Sequence, residues 1–137
     1  MKDFDEFVRE GLVRTQRKDV ARARSLVEET RNRTRFLKSI PAAKENASYI
    51  VENAYDIIRE LIEARLSMDG YKSYSHEATV AYLKKLGFPG SQALFIDDMR
   101  KVRNGIKYYG GGATLDYALT VLKFLETAHE KLEKLSG

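Results

Sequence analysis

Apolar residues recur every three or four positions along most of this chain, the spacing that gathers them on one face of an α-helix. The alternation of apolar and polar residues that marks a half-buried strand is scarce, and the 137 residues include only two prolines. This pattern predicts an all-α fold, an antiparallel bundle of four long helices with shorter helices added to it.

Breaks in the pattern give the predicted limits of each helix. Pro41 ends the second helix because the residue before a proline disfavours helical geometry, and Gly70 ends the third. Ser73 or Ser75 can cap the fourth helix, and Ser91 can begin the fifth, which the glycines at 110–112 must interrupt. The predicted helices span residues 4–13, 17–37, 42–68, 73 or 75 to 86, 91 to the glycine run, and 114–135.

The third predicted helix is the most apolar, so we expect it at the centre of the bundle. Its main face carries Tyr49 or Ile50, Ala54, Ile57, Leu61, Ala64 and Met68, widened by Val51, Tyr55, Ile58 and Ile62. The fifth helix is expected to turn inward Leu94, Phe95, Met99, Val102 and Ile106, and the last one Leu115, Ala118, Leu122, Leu125 and Leu132. Tyr71, Tyr74 and Tyr82 offer rings that could stack on a base, but at their spacing they are expected rather to cover the core and cap the loop.

Length and composition favour one domain over residues 1–137, with residues 1–16 as a possible separate helix packing on it. The absence of cysteine excludes disulfides, thiolate zinc sites and a cysteine nucleophile. The beginning of the chain is charged and no apolar run approaches the length of a membrane span, which predicts a cytoplasmic protein without a membrane partner. We predict no metal site and no cofactor.

The basic residues suggest a polyanionic partner. The net charge is +4, a mild excess, but Arg17, Arg24, Arg31 and Arg35 fall on one face of the second predicted helix. Arginine binds phosphate oxygens in a planar, bidentate manner, so such a stripe can follow a phosphate backbone. A solvated helix face explains the same pattern, and the sequence leaves both interpretations open.

The most site-like segment is 99–110, where cations, an amide and two phenols meet at the end of a helix. Arg103 and Lys107 lie four residues apart, as do Asn104 and Tyr108, so charge lies beside hydrogen-bonding groups. Arginine can hold a phosphodiester, asparagine can orient a ribose hydroxyl, and tyrosine can stack on a base. The alternative is an ordinary helix end, where cations favour the macrodipole and glycine stops the helix.

Arg103-Asn104 followed by an aromatic residue resembles the signature of the HEPN superfamily, in which an arginine is followed, after four to six residues, by a histidine. The segment Asp69-Gly70-Tyr71-Lys72-Ser73-Tyr74-Ser75-His76-Glu77 resembles the histidine-bearing loop after a long helix in these domains. The resemblance covers about residues 20–135. It implies a homodimer whose two signature arginines face each other across a cleft, metal-independent ribonuclease activity, and possible pairing with a nucleotidyltransferase in a toxin–antitoxin-like system.

The signature histidine is missing, because Tyr108, Tyr109 and Gly110 occupy the positions where it is required. Tyrosine titrates near pH 10 and is a poor general base, so we expect binding of RNA or a nucleotide rather than efficient cleavage. His76 is expected to cap or pack its loop. The predicted degenerate catalytic residues are Arg103, Asn104 and Tyr108, and the predicted binding residues are Arg100, Arg103, Lys107, Tyr109, Arg24 and Arg31.

Two other functions fit the sequence. One is a weak metal-independent endoribonuclease that uses Tyr108 in place of histidine. The other is a helical protein–protein interaction module without a nucleic-acid role. A nucleotide-binding phosphate loop is excluded, because the glycine run lacks the lysine and the serine or threonine that such a loop requires.

Overall fold

A computed structural model describes residues 2–136, so Met1 and Gly137, the two ends of the predicted domain, lie outside the described residues. The chain is mostly helical, as predicted. The elements in chain order are α1 (Phe4–Arg9), β1 (Val13–Thr15), α2 (Val20–Ser39), a 3-10 turn (Lys44–Asn46), α3 (Ala47–Asp69), β2 (Tyr71–Ser73), α4 (His76–Lys85), α5 (Gly90–Tyr109) and α6 (Leu115–Ser136).

The predicted stop signals end the helices. Ile40 is extended before Pro41 and ends α2, while Gly70 and Gly110 adopt positive φ angles of 82° and 70° and end α3 and α5. Ser75, rather than Ser73, caps α4, and its Oγ accepts a hydrogen bond from the backbone N–H of Ala78 at 3.3 Å.

Two short strands are the main departure from the prediction. β1 and β2 form an antiparallel ribbon in which Arg14 lies opposite Lys72. Gln16 N donates to Gly70 O at 2.8 Å and Tyr74 N donates to Leu12 O at 2.9 Å, which continues the pairing beyond both strands. The predicted first helix therefore ends at Arg9 instead of residue 13. Strands of three residues are too short for a recognisable alternation, and they exist here only because distant segments pair.

α3 lies at the centre of the bundle, packed against α2, α5 and α6. Arg22 contacts Ser67 and Arg33 contacts Glu60, so α2 and α3 run antiparallel. Ile50, not Tyr49, faces the core: Ile50 is fully buried while Tyr49 is 47% exposed. Leu94 of α5 was predicted to turn inward, but the structure contradicts this, because 56% of it is exposed and Ala93 and Ile96 are buried instead.

The N-terminal segment packs on the rest of the chain through Phe4. Its ring centroid lies 5.0 Å from those of both Tyr71 and Tyr82, at the junction of β2 and α4. Tyr82 is buried and its hydroxyl donates to Asp69 at the end of α3. α1 therefore holds the ribbon and α4 against the bundle. Within residues 2–136, no helix combines the length and hydropathy needed to cross a membrane.

Candidate functional site

A cleft of about 790 Å³ opens where the ribbon, the beginning of α4 and the middle of α3 and α5 meet. Its apolar floor consists of side chains from α3, α4 and α5: Ile62, Leu66, Val80, Leu83 and Ile96. Polar and charged residues from the ribbon, the β1–α2 connection, the beginning of α2 and these three helices line the walls. A volume of this size suits a ligand with the dimensions of a nucleotide.

Positive charge prevails among the residues that line this cleft. Three carboxylates line it, those of Asp19, Glu63 and Asp97. Five cations face them: Arg17, Arg22, Arg59, Lys72 and Arg100. Focused within a concave, partly apolar wall, this excess of positive charge attracts anions.

Carboxylates hold three of the arginines in place. Glu63 lies between Arg59, at 2.9 Å, and Arg22, at 3.7 Å, and the guanidinium of Arg22 also donates to Ser67 Oγ at 2.7 Å. On α5, Arg100 Nε donates to Asp97 at 3.0 Å. Each guanidinium carries five N–H donors, so these contacts fix the side chains and leave further donors for a ligand.

His76 begins α4 and lines the cleft near its basic wall. Partial burial lowers the pKa of His76 below its ordinary value of 6.5, and the charge of Arg100 lowers it further. The imidazole is therefore neutral at neutral pH and can accept a proton or a hydrogen bond. The sequence suggested only a capping or packing residue, but Ser75 makes the cap and His76 faces the cleft.

Replacing Arg100 with alanine is expected to raise the pKa of His76. The substitution removes a positive charge that disfavours the imidazolium, and it frees Asp97, whose negative charge favours it. Titration of the His76 ring protons by NMR measures the change. Lys101→Ala is the control, since Lys101 also pairs with Asp97, at 3.5 Å, but does not line the cleft. A His76 pKa that is unchanged in Arg100→Ala would contradict the conclusion that the charge of Arg100 acts on His76 in the cleft.

Three tyrosines add aromatic surface to the cleft. Tyr55 is buried, and desolvation raises its pKa, so the phenol stays protonated. Tyr71 packs on Phe4. Tyr82 is buried, as predicted, and is not among the residues that line the cleft. Tyr74 contradicts the prediction that it covers the core, because 56% of it is exposed at the rim of the cleft. Its ring is available to a ligand.

Of the residues predicted from the 99–110 segment, only Arg100 lines the cleft. Arg103 points toward α3, where its guanidinium pairs with Asp56 at 3.4 Å and lies 6.0 Å from the centroid of the Tyr55 ring. Only 16% of the Arg103 side chain is exposed, and its buried Nε has no hydrogen-bond partner. Arg103 thus lies behind Tyr55 and supports the wall of the cleft.

The other residues of that segment lie on the last two turns of α5, outside the cleft. Asn104 is partly buried, and Tyr108 and Tyr109 are 63% and 84% exposed. The Lys107 ammonium lies 5.8 Å from the Tyr108 ring centroid. These side chains form an exposed basic and aromatic helix end that is separate from the cleft.

The arginine stripe on α2 is also separate from the cleft. Arg17 precedes α2, whose N-cap is Asp19, so it is not part of the helical stripe but lines the cleft instead. Arg31 forms an ion pair with Glu133 of α6. Arg24 is exposed. The structure therefore does not bring Arg24 and Arg31 together with the residues of α5.

Sequence reasoning missed Arg22, Arg59, Lys72 and the role of Arg17. These residues come from four segments that are joined only by the ribbon and by the packing of α2 and α5 on α3. The one available signal was local: Lys72, Tyr74 and His76 fall within a short stretch rich in serine. Such a stretch, directly before a helix, is a frequent position for ligand-binding residues.

Among residues 2–136, no cluster of three or more histidine, cysteine, aspartate or glutamate side chains has the geometry to hold a metal ion. No protein-family model matches this sequence, and a comparison with curated proteins finds no match. The proposed function therefore rests on the cleft and the residues that line it.

Proposed function

We propose that this chain is a HEPN-type domain that binds RNA or a nucleotide in the cleft between the ribbon and helices α3, α4 and α5. The observation that carries the proposal is the combination of five cations with an apolar floor and tyrosine rings in one concavity of nucleotide size. Phosphate requires cationic donors, and a base requires flat apolar or aromatic surface. The cleft supplies both.

Within this proposal, Arg100 and Arg59 hold the phosphate. Arg100 lies on α5 and Arg59 lies on α3, and each is fixed by a carboxylate that leaves other N–H groups free. His76 lies at the beginning of α4, where backbone N–H groups favour an anion. Arg103 supports Tyr55 from behind and acts on the ligand through that ring.

The homodimer and the nucleotidyltransferase partner that the HEPN resemblance implies are part of this proposal. Arg103 is held within its own chain by Asp56, so two arginines that met across a dimer axis would first have to leave this pair. The exposed end of α5, with Lys107, Tyr108 and Tyr109, is the surface that a second copy or a partner enzyme could reach.

Arg100→Ala is expected to weaken the binding of AMP, and of a short RNA, about tenfold, because a hydrogen bond to a charged group contributes about 1.5–3 kcal/mol. Isothermal titration calorimetry at fixed ionic strength measures both affinities. Lys101→Ala is the matched control: it removes one positive charge from the adjacent position, where the side chain is 68% exposed and outside the cleft. We expect less than a twofold effect from it.

Equal losses of affinity in Arg100→Ala and Lys101→Ala would mean that net charge, and not the cleft, governs binding. A wild-type protein that binds neither AMP nor RNA would refute the proposal and leave the helical interaction module as the better explanation. A loss of ligand affinity that is confined to variants of Lys107 or Tyr108 would place the binding site at the end of α5 instead.

A weak metal-independent endoribonuclease is the second candidate, and the position of His76 favours it. His76 is neutral at neutral pH and faces the same cleft as Arg100. It could take the proton of a ribose 2′-hydroxyl while the 2′-oxygen attacks the phosphorus and the 5′-oxygen leaves and takes up a proton. Tyr108 lies outside the cleft. A 2′,3′-cyclic phosphate product that is formed with a chelator present and lost in His76→Asn, but not in Tyr108→Phe, would establish this reaction.

A further inference from the structure

The outer face of the β1–β2 ribbon carries a basic and aromatic cluster that continues the cleft. Arg14 and Lys72 lie opposite each other in the ribbon. The Tyr74 ring centroid is 5.7 Å from the guanidinium carbon of Arg14 and 5.5 Å from the ammonium of Lys72. Lys72 and Tyr74 also line the cleft, so the cluster begins at its rim and extends outward to Arg14.

The positive charge of this rim is not neutralised by neighbouring acids. Inside the cleft, Arg22, Arg59 and Arg100 each pair with a carboxylate. In the part of the chain that the structure describes, Arg14, Arg17 and Lys72 form no ion pair. The cleft cations without acidic partners, Arg17 and Lys72, thus lie in or close to the ribbon, and Arg14 extends this unpaired charge beyond the cleft.

An exposed aromatic ring among unneutralised cations has the chemistry that binds single-stranded nucleic acid. A base stacks on the ring, and the cations bind the phosphates on either side of it. The cleft accommodates a ligand the size of one nucleotide; Lys72 and Tyr74 lie at its rim, and Arg14 lies beyond the residues that line it. A mononucleotide held in the cleft would leave Arg14 unused.

We infer that the ligand of the cleft is a single strand of RNA that continues over the ribbon, with one base on Tyr74 and flanking phosphates on Arg14, Lys72 and Arg17. The inference rests on the proposed function and specifies its ligand as a strand rather than a free nucleotide. An acidic protein segment would also be attracted to the cations, but it would make no use of the stacking surface of Tyr74.

The test compares AMP with a single-stranded RNA octamer of mixed sequence. We expect the octamer to bind the wild-type protein at least tenfold more tightly. Tyr74→Ala is expected to lower the octamer affinity about tenfold, within the range for the loss of one base–aromatic stack. Arg14→Ala, at a position outside the cleft, is expected to weaken octamer binding and to leave the AMP affinity within about twofold. Tyr49→Ala is the matched control, because Tyr49 is 47% exposed but does not line the cleft.

Salt dependence gives an independent readout of the cations. Lys72→Ala and Arg14→Ala are each expected to reduce the slope of log affinity against log salt by about 1 for the octamer. Lys123→Ala, which removes an exposed cation of α6, should leave the slope unchanged.

The two proposals fail in different ways. An octamer that binds no more tightly than AMP, or equal losses in Tyr74→Ala and Tyr49→Ala, would overturn the strand path. In either case, a loss of AMP binding in Arg100→Ala would still support the cleft as a nucleotide site. We expect Tyr74→Ala to melt like the wild type in circular dichroism, since this exposed ring lies outside the core, and such a melt would exclude unfolding as the cause.

Discussion

Gly70→Ala is expected to lower the free energy of unfolding by about 2–5 kcal/mol. Gly70 has a φ of +82°, where a side chain costs about 1–2 kcal/mol. A Cβ at this position would also lie 2.9 Å from the backbone oxygen of Gln16, which belongs to the segment that leads from the ribbon into α2. Crowding of this kind adds about 1–3 kcal/mol. Urea denaturation followed by circular dichroism measures the loss.

Gly87→Ala separates the two contributions. Gly87 has a φ of +94°, but a Cβ there would have no neighbouring atom within 4 Å, so only the conformational cost remains. We expect Gly70→Ala to be the more destabilising variant, and to lose ligand affinity as well, because the ribbon forms one wall of the cleft. Equal destabilisation of the two variants would contradict the close approach at Gly70.

Asp56→Ala is expected to destabilise the protein by about 2 kcal/mol. The substitution removes the acidic partner of Arg103 and leaves a mostly buried guanidinium without a counter-charge. The expected loss is below the 3–5 kcal/mol typical of fully buried pairs, because 16% of the Arg103 side chain and 22% of the Asp56 side chain remain exposed. Thermal and urea unfolding measure it.

Arg103→Met, combined with Asp56→Ala, is expected to recover most of that stability, since a well-packed apolar side chain can replace a buried pair at little cost. Recovery would establish that Arg103 is chiefly a structural residue behind Tyr55. If the double variant were as unstable as Asp56→Ala alone, the loss would stem from Asp56 itself, which also lies 4.0 Å from Arg59.

The helices could be predicted because their causes are local in sequence. The apolar stripe of α3 and the stops at Pro41, Gly70 and Gly110 depend on residues within one or two turns of each other. The ribbon could not be predicted, because residues 13–15 form a strand only when residues 71–73 pair with them. No pattern within three residues distinguishes such a segment from the end of a helix.

The candidate site was predicted only in part, for the same reason. Arg100 and Arg103 are one turn apart on α5, yet the first lines the cleft and the second pairs with Asp56 on α3. A sequence gives the spacing of the two arginines but not the position of Asp56 across the helix pair. Likewise, Arg17, Lys72 and Arg100 are far apart in the chain and meet only through the packed fold.

The ribbon also bears on how this protein assembles. Its strands are separated in sequence by all of α2 and α3, so closing the ribbon carries a loop-entropy cost that the local helices do not incur. A two-stranded ribbon of this length has little stability of its own and depends on Phe4 and Tyr71 for its packing. We therefore expect the ribbon to close late in folding and to open first in native-state hydrogen exchange. The basic cleft would then form and be lost together with the ribbon, while the helical core stays folded.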